Sequence, residues 1–236
     1  QRIPEYMIPP SGKEIERKHP LPRSAKDRLT ILRSYIAGEK FNTPSPWKKW
    51  TLDRSVKQRI AQWRLISEEK IRLLKDKKIV LYPLQMQPEA NLDVWGQKFR
   101  DQQLLIKQIA DALPANWHLC VKANPKSKYE LTVSLMDILR LHPKISPVPL
   151  DMSMGEIFAK SDLICTVTGT VAVECILSGK PLVQFGPGIV KDTAGCCRLD
   201  LPENIRSVLK TIESNHFHTA TDTERIQLVK ILYETT

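Results

Sequence analysis

Long apolar runs are missing from this chain of 236 residues. No run approaches the roughly 18 apolar residues that a membrane span requires. The first residues also lack the apolar core of a secretory signal, so the sequence predicts a cytoplasmic protein. Hydrophobic residues still make up 42% of the chain, which is enough to build the core of one large or two small domains.

Patterns of metal-binding side chains are missing as well. The five cysteines form no Cys-x-x-Cys pair, and the five histidines do not fall at the spacing of metal ligands. Four of the cysteines lie in apolar or helical contexts, which favours reduced, buried thiols. The sequence therefore predicts no protein-bound metal.

Negative charge is scarce only in the first third of the chain. Residues 1–77 hold 19 Lys and Arg against 9 Asp and Glu, whereas residues 78–236 hold 17 of each. Such a basic segment fits an anionic lipid surface, nucleic acid or an acidic partner, and a solvated linker helix is the plain alternative. Because no nucleic-acid motif is present, we expect no nucleic-acid partner. From the basic charge we expect a peripheral position at the inner membrane.

Three segments are defined by the distribution of proline and of apolar residues. Residues 1–50 hold seven prolines, which exclude long regular structure apart from one helix over residues 25–37. In residues 51–77, apolar residues recur every three to four positions, which predicts an amphipathic basic helix. We expect the face with Trp63 to pack on the domain that follows. Because the chain opens on Gln1 and a proline-rich stretch, we expect it to be part of a longer protein.

Residues 78–236 alternate strands with helices. Apolar runs predict strands at 78–84, 118–122, 145–148, 162–167 and just before Gly186, and helical periodicity predicts helices at 97–113, 129–141, 153–160, 171–178, 202–214 and 223–233. This alternation predicts an α/β domain with a Rossmann-like parallel sheet and helices on both faces. Ligands of such sheets bind at the rim where the strands end.

The stretch 162–186 is the most informative part of the chain, because it reads as strand, turn, helix and strand. The turn Thr168-Gly169-Thr170 leads into a helix whose first N–H groups and dipole favour an anion, phosphate above all. Alternatively, the two threonines merely cap a buried helix. Glu174 lies one helical turn beyond Thr170, where it either accepts ribose hydroxyls or is an ordinary helix residue.

Three further loops come after predicted strands at the same rim. In the first loop, of sequence QMQPE, Gln87 and Glu89 can point into the crevice, where a carboxylate acts as a base or binds a hydroxyl. In the second loop, Lys122 and Asn124 can face a phosphate or carboxylate. Solvated surface side chains are the alternative in both loops. In the third loop, Gly186 permits close approach of a ligand to the backbone.

The pieces LYPLQMQPEAN, HLCVKANPKS and TVTGTVAVECILSGKPLVQFG occur in this order within residues 78–190. Together they resemble the capsule polysaccharide biosynthesis glycosyltransferases, especially the bacterial β-Kdo transferases. The resemblance implies a GT-B architecture of two Rossmann-like halves, of which this chain looks like the donor-binding C-terminal half. It implies that the other half is a missing N-terminal domain of the same polypeptide. It also implies transfer of Kdo or a related sugar from a CMP-activated nucleotide-sugar donor to a glycan or glycolipid acceptor, without a metal.

The same resemblance assigns roles to individual residues. It implies that Gln87 and Glu89 belong to the catalytic Gln-Pro-Glu signature, that the turn at 168–170 holds the donor phosphate, and that Glu174 is the helix acid. Where the family carries Lys-x-His-Pro, this chain has Asn124 in place of His, and Asn cannot carry positive charge. This departure leaves two alternatives open: a degenerate, non-catalytic binding module, or a UDP-sugar-dependent transferase or 2-epimerase.

Overall fold

The computed structural model describes residues 25–38, 45–87, 91–124 and 130–234. The chain divides into two compact units, residues 1–54 and residues 55–236. In the first unit, helix α1 (Ala25–Ile36) confirms the helix predicted in the proline-rich segment. The sheet and every described residue of the candidate site belong to the second unit.

The second unit is built on one sheet of six parallel strands in the order β3-β2-β1-β4-β5-β6. The strands are β1 (Lys78–Pro83), β2 (Trp117–Lys122), β3 (Ile145–Pro147), β4 (Leu163–Thr166), β5 (Leu182–Gln184) and β6 (Cys196–Arg198). The predicted α/β fold class is therefore confirmed. The strand order reverses between β1 and β4, and in open α/β sheets this switch point is where ligands bind, outside the carboxyl ends of the strands.

Helices cover both faces of this sheet. They are the part of α2 (Pro46–Lys70) that belongs to the second unit, together with α3 (Gln102–Ala112), α4 (Val133–Leu141), α5 (Met154–Lys160), α6 (Thr170–Leu177), α7 (Ile205–Glu213) and α8 (Asp222–Glu234). Strand β1 shows how two cores arise, because alternate side chains of a strand point to opposite faces. Val80 and Tyr82 belong to the cluster under α3, α4 and α7, while Ile79 and Leu81 belong to the cluster under α5, α6 and α8.

The carboxyl-terminal part of α2 belongs to the second unit and packs within it through the face predicted from the periodicity of this helix. Trp63 is fully buried, and its indole Nε1 donates a hydrogen bond of 2.8 Å to the carbonyl of Val148. The buried ammonium of Lys70 donates to the carbonyls of His142 (2.8 Å) and Ile145 (3.1 Å). The helix begins earlier than predicted, at Pro46, because proline is tolerated in the first turn of a helix.

Several elements differ from the sequence-based expectations. The helix predicted over 129–141 begins at Val133, because the Thr132 hydroxyl accepts from the Leu135 N–H and caps it, and a short π-helix (Asn91–Trp95) was not predicted. The helix expected over 97–113 is divided into a 3₁₀ turn (Gln97–Phe99) and α3, because the Asp101 carboxylate accepts from the N–H groups of Gln103 and Leu104 and so begins a new helix. The edge strand β6 was missed. It has only three residues, none fully buried, and therefore no periodic signal.

The described ranges contain no helix that is both long enough and apolar enough to pass through a membrane. Two tryptophans of α2, Trp47 and Trp50, are exposed. The expected attachment to an anionic membrane surface stays a prediction.

A buried histidine makes the stability of the second unit depend on pH. The Nε2 atom of His118 lies 2.8 Å from the hydroxyl of Ser146. Burial, with a smaller effect of the Lys70, Lys77 and His142 charges, lowers the pKa of His118 from 6.5 to about 4. Below pH 6.5 the His118 imidazole therefore binds a proton in the unfolded chain but stays neutral in the folded chain. The free energy of unfolding falls as the pH drops towards 4.

We expect this histidine to contribute at most about 3 kcal/mol to the free energy of unfolding at neutral pH, lost between pH 6.5 and pH 4. Urea unfolding of the unchanged chain and of His118→Gln, measured across this range, checks it. The variant should lose stability less steeply on acidification. Equal slopes for the two chains would show that other groups cause the pH dependence.

Candidate functional site

The site is built at the switch point of the sheet, where the loops after β1 and β4 begin side by side. The two strands are paired, with Val80 opposite Leu163 and Leu81 opposite Ile164. Because parallel strands end at the same rim, the turn at 168–170 lies next to the loop at 84–87. The structure thus brings together two of the predicted rim elements.

The turn into α6 is held by a glycine in a conformation that other residues avoid. Gly169 is the N-cap of α6, with φ 97° and ψ 177°, a region open essentially to glycine alone. Among the described residues no side chain caps the helix, so the alternative in which Thr168 and Thr170 are its caps is wrong. Gly169 and Thr170 are both exposed. The first N–H groups of α6 are therefore available to an anion from outside.

Thr168, by contrast, is buried beside this turn. Its side chain is 5% exposed, and its hydroxyl has no hydrogen-bond partner among the described residues. Its backbone carbonyl accepts two hydrogen bonds, one from the Gln85 amide nitrogen Nε2 and one of 2.8 Å from the Thr166 hydroxyl. The position of this carbonyl is therefore fixed by Thr166 of β4 and by Gln85 of the loop after β1.

Glu174 lies on the exposed side of α6, one helical turn after Thr170. The protein atoms around it disfavour the charged form, and this desolvation raises the pKa of its carboxyl. A carboxyl at this position can accept hydrogen bonds from hydroxyl groups of a ligand whose anionic group lies at the start of the helix.

The loop after β1 is organised by a buried glutamine that the sequence analysis missed. Gln102, in the first turn of α3, accepts from the Gln85 backbone N–H (2.8 Å) and donates to the Gln85 carbonyl (2.9 Å). It also donates to Oε1 of Gln87 (3.1 Å), whose Nε2 donates to the Arg100 carbonyl (3.1 Å). Both ends of the Gln87 amide thus bind protein groups. Glu89 lies outside the described residues, and its catalytic role stays a prediction.

Lys122 and Asn124 are separated from the turn by one strand. The buried Lys122 ammonium donates a hydrogen bond of 2.6 Å to the carbonyl of Met152, in the loop after β3. Asn124 is half-buried two residues beyond the end of β2. Since β1 lies between β2 and β4, the two strands are about 10 Å apart. The predicted contact of these two residues with a phosphate stays a prediction.

Gly186 supports the turn from the neighbouring strand. Its N–H donates a hydrogen bond of 2.8 Å to the carbonyl of Val167. A Cβ atom added to Gly186 would lie 2.8 Å from that same oxygen and 3.0 Å from Cγ2 of Thr168. Only glycine fits here, because the backbone after β5 passes directly against the residues that precede Gly169.

A polar cavity of about 490 Å³ adjoins the loop after β1. Amide, hydroxyl and carboxylate side chains line it, among them Gln87, Gln103, Glu130 and Thr132. A second cavity, of about 360 Å³, lies between the end of α2 and α5 and is lined mainly by aliphatic side chains. Of these two cavities, the polar one includes a residue of the candidate site.

Comparison with known families gives one match. The profile of the family described as capsule polysaccharide biosynthesis protein matches residues 30–196, more than half of the chain. Among curated proteins, no sequence matches the chain.

Several solved structures are similar in fold. The KpsC beta Kdo 2,7 transferase of Thermosulfurimonas dismutans is 19% identical, with a TM-score of 0.43 over 60% of this chain and 45% of that one. The Methanocaldococcus jannaschii UDP-GlcNAc 2-epimerase is 18% identical (TM-score 0.44; 74% and 52% covered), and S. aureus MnaA, solved with UDP, is 17% identical (TM-score 0.46; 70% and 47% covered). The chain spans about half the length of each.

Proposed function

We propose, from the premise that this chain belongs to the capsule polysaccharide biosynthesis protein family, that it is the donor-binding half of a GT-B glycosyltransferase. The donor is a CMP-activated sugar, Kdo or a related one, and the acceptor is a surface or capsular glycan. The observation that carries the proposal is the uncapped start of α6, held open by Gly169 at the switch point of the sheet.

In this proposal the start of α6 binds the phosphate of the donor. The helix dipole places about half a positive charge there, and the first N–H groups donate hydrogen bonds to phosphate oxygens. As the bond between sugar and phosphate breaks, negative charge grows on the phosphate. Donors already in position stabilise that charge without reorganisation, which is the main electrostatic contribution an enzyme makes to such a reaction.

Other residues take supporting roles. The exposed hydroxyl of Thr170, the first residue of α6, donates to the same phosphate, and Glu174 accepts from ribose hydroxyls. Gln87 is held by Gln102 and the Arg100 carbonyl, which fixes the chain two residues before Glu89. Glu89 then serves as the base that takes the proton from the acceptor hydroxyl, a role that requires hydrogen-bond reach to that hydroxyl.

The residue at 124 sets the strength of phosphate stabilisation. An Asn124 amide donates a hydrogen bond but carries no positive charge. The Lys122 ammonium is already bonded to a carbonyl of the protein. Stabilisation of the leaving phosphate then depends on the start of α6 more than it would with a charged side chain at 124. A chain that binds the nucleotide but transfers no sugar, a degenerate binding module, is the second candidate that Asn124 favours.

Calorimetry with CMP and UDP tests the proposal, using the unchanged chain, Thr170→Val and the control Thr223→Val, which alters an exposed threonine of α8. We expect CMP to bind the unchanged chain, and Thr170→Val to weaken binding about five- to tenfold through the loss of one hydrogen bond to a charged group. The control should bind as the unchanged chain does.

Three other outcomes have distinct meanings. Absence of binding by both nucleotides, or equal binding by Thr170→Val, contradicts the proposed site. Preference for UDP favours the UDP-sugar transferase or 2-epimerase instead. Binding of CMP without sugar transfer by the full-length protein, when supplied with CMP-Kdo and acceptor, favours the binding module.

A further inference from the structure

The carbonyl of Thr168 turns the next N–H group outward. A peptide unit is planar and trans, so its C=O and its N–H point in opposite directions. The Thr168 carbonyl faces Nε2 of Gln85 and the hydroxyl of Thr166. The N–H of Gly169, a residue that is itself exposed, therefore points away from Gln85.

Gln85, which holds the Thr168 carbonyl, lies in the loop after β1. Its Nε2 donates to the Thr168 carbonyl and, at 3.1 Å, to the Thr166 hydroxyl, and it lies 3.7 Å from the position of a Cβ on Gly169. Rotation of the peptide between Thr168 and Gly169 would break the first of these bonds and turn a carbonyl oxygen towards the position that the proposed function gives to the donor phosphate. An oxygen there repels phosphate.

The backbone of Gln85 is itself held by two hydrogen bonds. The side-chain amide of Gln102 binds both the N–H and the carbonyl of Gln85, at 2.8 Å and 2.9 Å. Gln102 is 4% exposed, and the hydroxyl of the buried Tyr82 lies 3.4 Å from its Oε1. The backbone of Gln85 is thus held by Gln102 of α3, which in turn contacts Tyr82 of β1. This restricts the movement of the Gln85 side chain relative to the turn.

We propose that Gln85 is a positioning residue, whose amide fixes the peptide between Thr168 and Gly169 so that the Gly169 N–H is directed at the donor phosphate before the donor binds. Gln85 touches the turn and not the ligand. This inference rests on the proposed function for the identity of the anion, but the orientation of the peptide is a property of the free protein.

Gln85→Glu tests this role, because it keeps the shape of the side chain and replaces the donor by a carboxylate oxygen that repels the Thr168 carbonyl. Burial raises the pKa of a carboxyl, and in its protonated form the introduced group again donates to Thr168. We expect the Kd for CMP to rise about tenfold at pH 8.5, relative to the unchanged chain, and this ratio to fall as the pH is lowered to about 6.

Two further variants separate positioning from folding. Gln85→Met removes the donor without adding charge, so we expect weaker CMP binding at a ratio that does not change with pH. Gln108→Glu places the same carboxylate on an exposed position of α3 and should leave CMP binding unchanged. Equal CMP affinity in Gln85→Glu and Gln108→Glu would overturn the role, as would a pH-independent ratio in Gln85→Glu.

An NMR titration of the free protein separates this inference from the proposed function. In Gln85→Glu the amide signal of Gly169 should shift as the introduced carboxyl titrates, and in Gln108→Glu it should not. A shift of Gly169 in a chain that binds neither CMP nor UDP supports the positioning role and contradicts the donor site. No shift in a chain that does bind CMP supports the donor site and overturns the role of Gln85.

Discussion

Gly169→Ala is expected to reduce binding of CMP to an undetectable level while leaving the fold intact. Alanine does not adopt φ 97° with ψ 177° without strain of about 1–3 kcal/mol, so the turn changes conformation and its N–H groups leave their positions. An added Cβ would make only an ordinary van der Waals contact, since the nearest atom, Nε2 of Gln85, is 3.7 Å away. The loss therefore comes from the backbone and not from a clash.

Gly155→Ala is the matched control for this change. Gly155 lies in α5, is exposed, and has no atom within 4 Å of an added Cβ. We expect this variant to bind CMP as the unchanged chain does and to gain up to about 1 kcal/mol of stability, because alanine loses less entropy than glycine in a helix. CMP binding by Gly169→Ala at the strength of Gly155→Ala would show that the turn does not hold the nucleotide.

Gly186→Ala is expected to damage both stability and binding. The added methyl group would lie 2.8 Å from the Val167 carbonyl oxygen and 2.9 Å from Cγ1 of the same residue. A buried backbone oxygen that accepts a hydrogen bond from Gly186 cannot move aside cheaply, so we expect a loss of about 1–3 kcal/mol in the free energy of unfolding, the range for overpacked cores. The displaced Val167 and Thr168 carry the turn with them, and CMP binding weakens.

Urea unfolding and calorimetry together distinguish the two glycines. Gly186→Ala should lower the unfolding midpoint more than Gly169→Ala, while Gly169→Ala should weaken CMP binding more. With Gly155→Ala as the reference in both measurements, unaltered stability of Gly186→Ala would mean that the end of β5 is not packed against Val167 as described.

The architecture was predictable because the strands and helices of an α/β domain each have a local pattern of apolar residues in the sequence. Short apolar runs and helical periodicity identified five of the six strands, and the right-handed connection of parallel strands then determined that their ends share a rim. The exceptions have local causes. Asp101 divides a periodic helix by capping its second part, and Cys196–Arg198 is too short to show a period.

The candidate site was only partly predictable. The turn at 168–170 was found because glycine between small hydroxylated residues is a recognisable start of a helix. Gln85 and Gln102 carry no such signal, since a glutamine that binds the backbone of a distant loop looks in sequence like any surface glutamine. Their function depends on the pairing of β1 with β4 and on the position of α3, which only the folded chain shows.

The same limit applies to the side-chain partners of charged residues. Lys122 was predicted to face a ligand because it ends a strand at the rim, and that contact stays a prediction. Its ammonium also donates to the carbonyl of Met152, a partner that the sequence did not indicate. The sequence places the residue at the rim, and the neighbouring loop decides what it binds.

The central claim is that the start of α6 holds the phosphate of a nucleotide. A crystal structure of the chain soaked with CMP tests it most directly. We expect the phosphate within hydrogen-bond distance of the N–H groups of Gly169 and Thr170, with the Thr168 carbonyl still bonded to Gln85. A phosphate bound elsewhere on the chain, with these N–H groups facing only solvent, would contradict it.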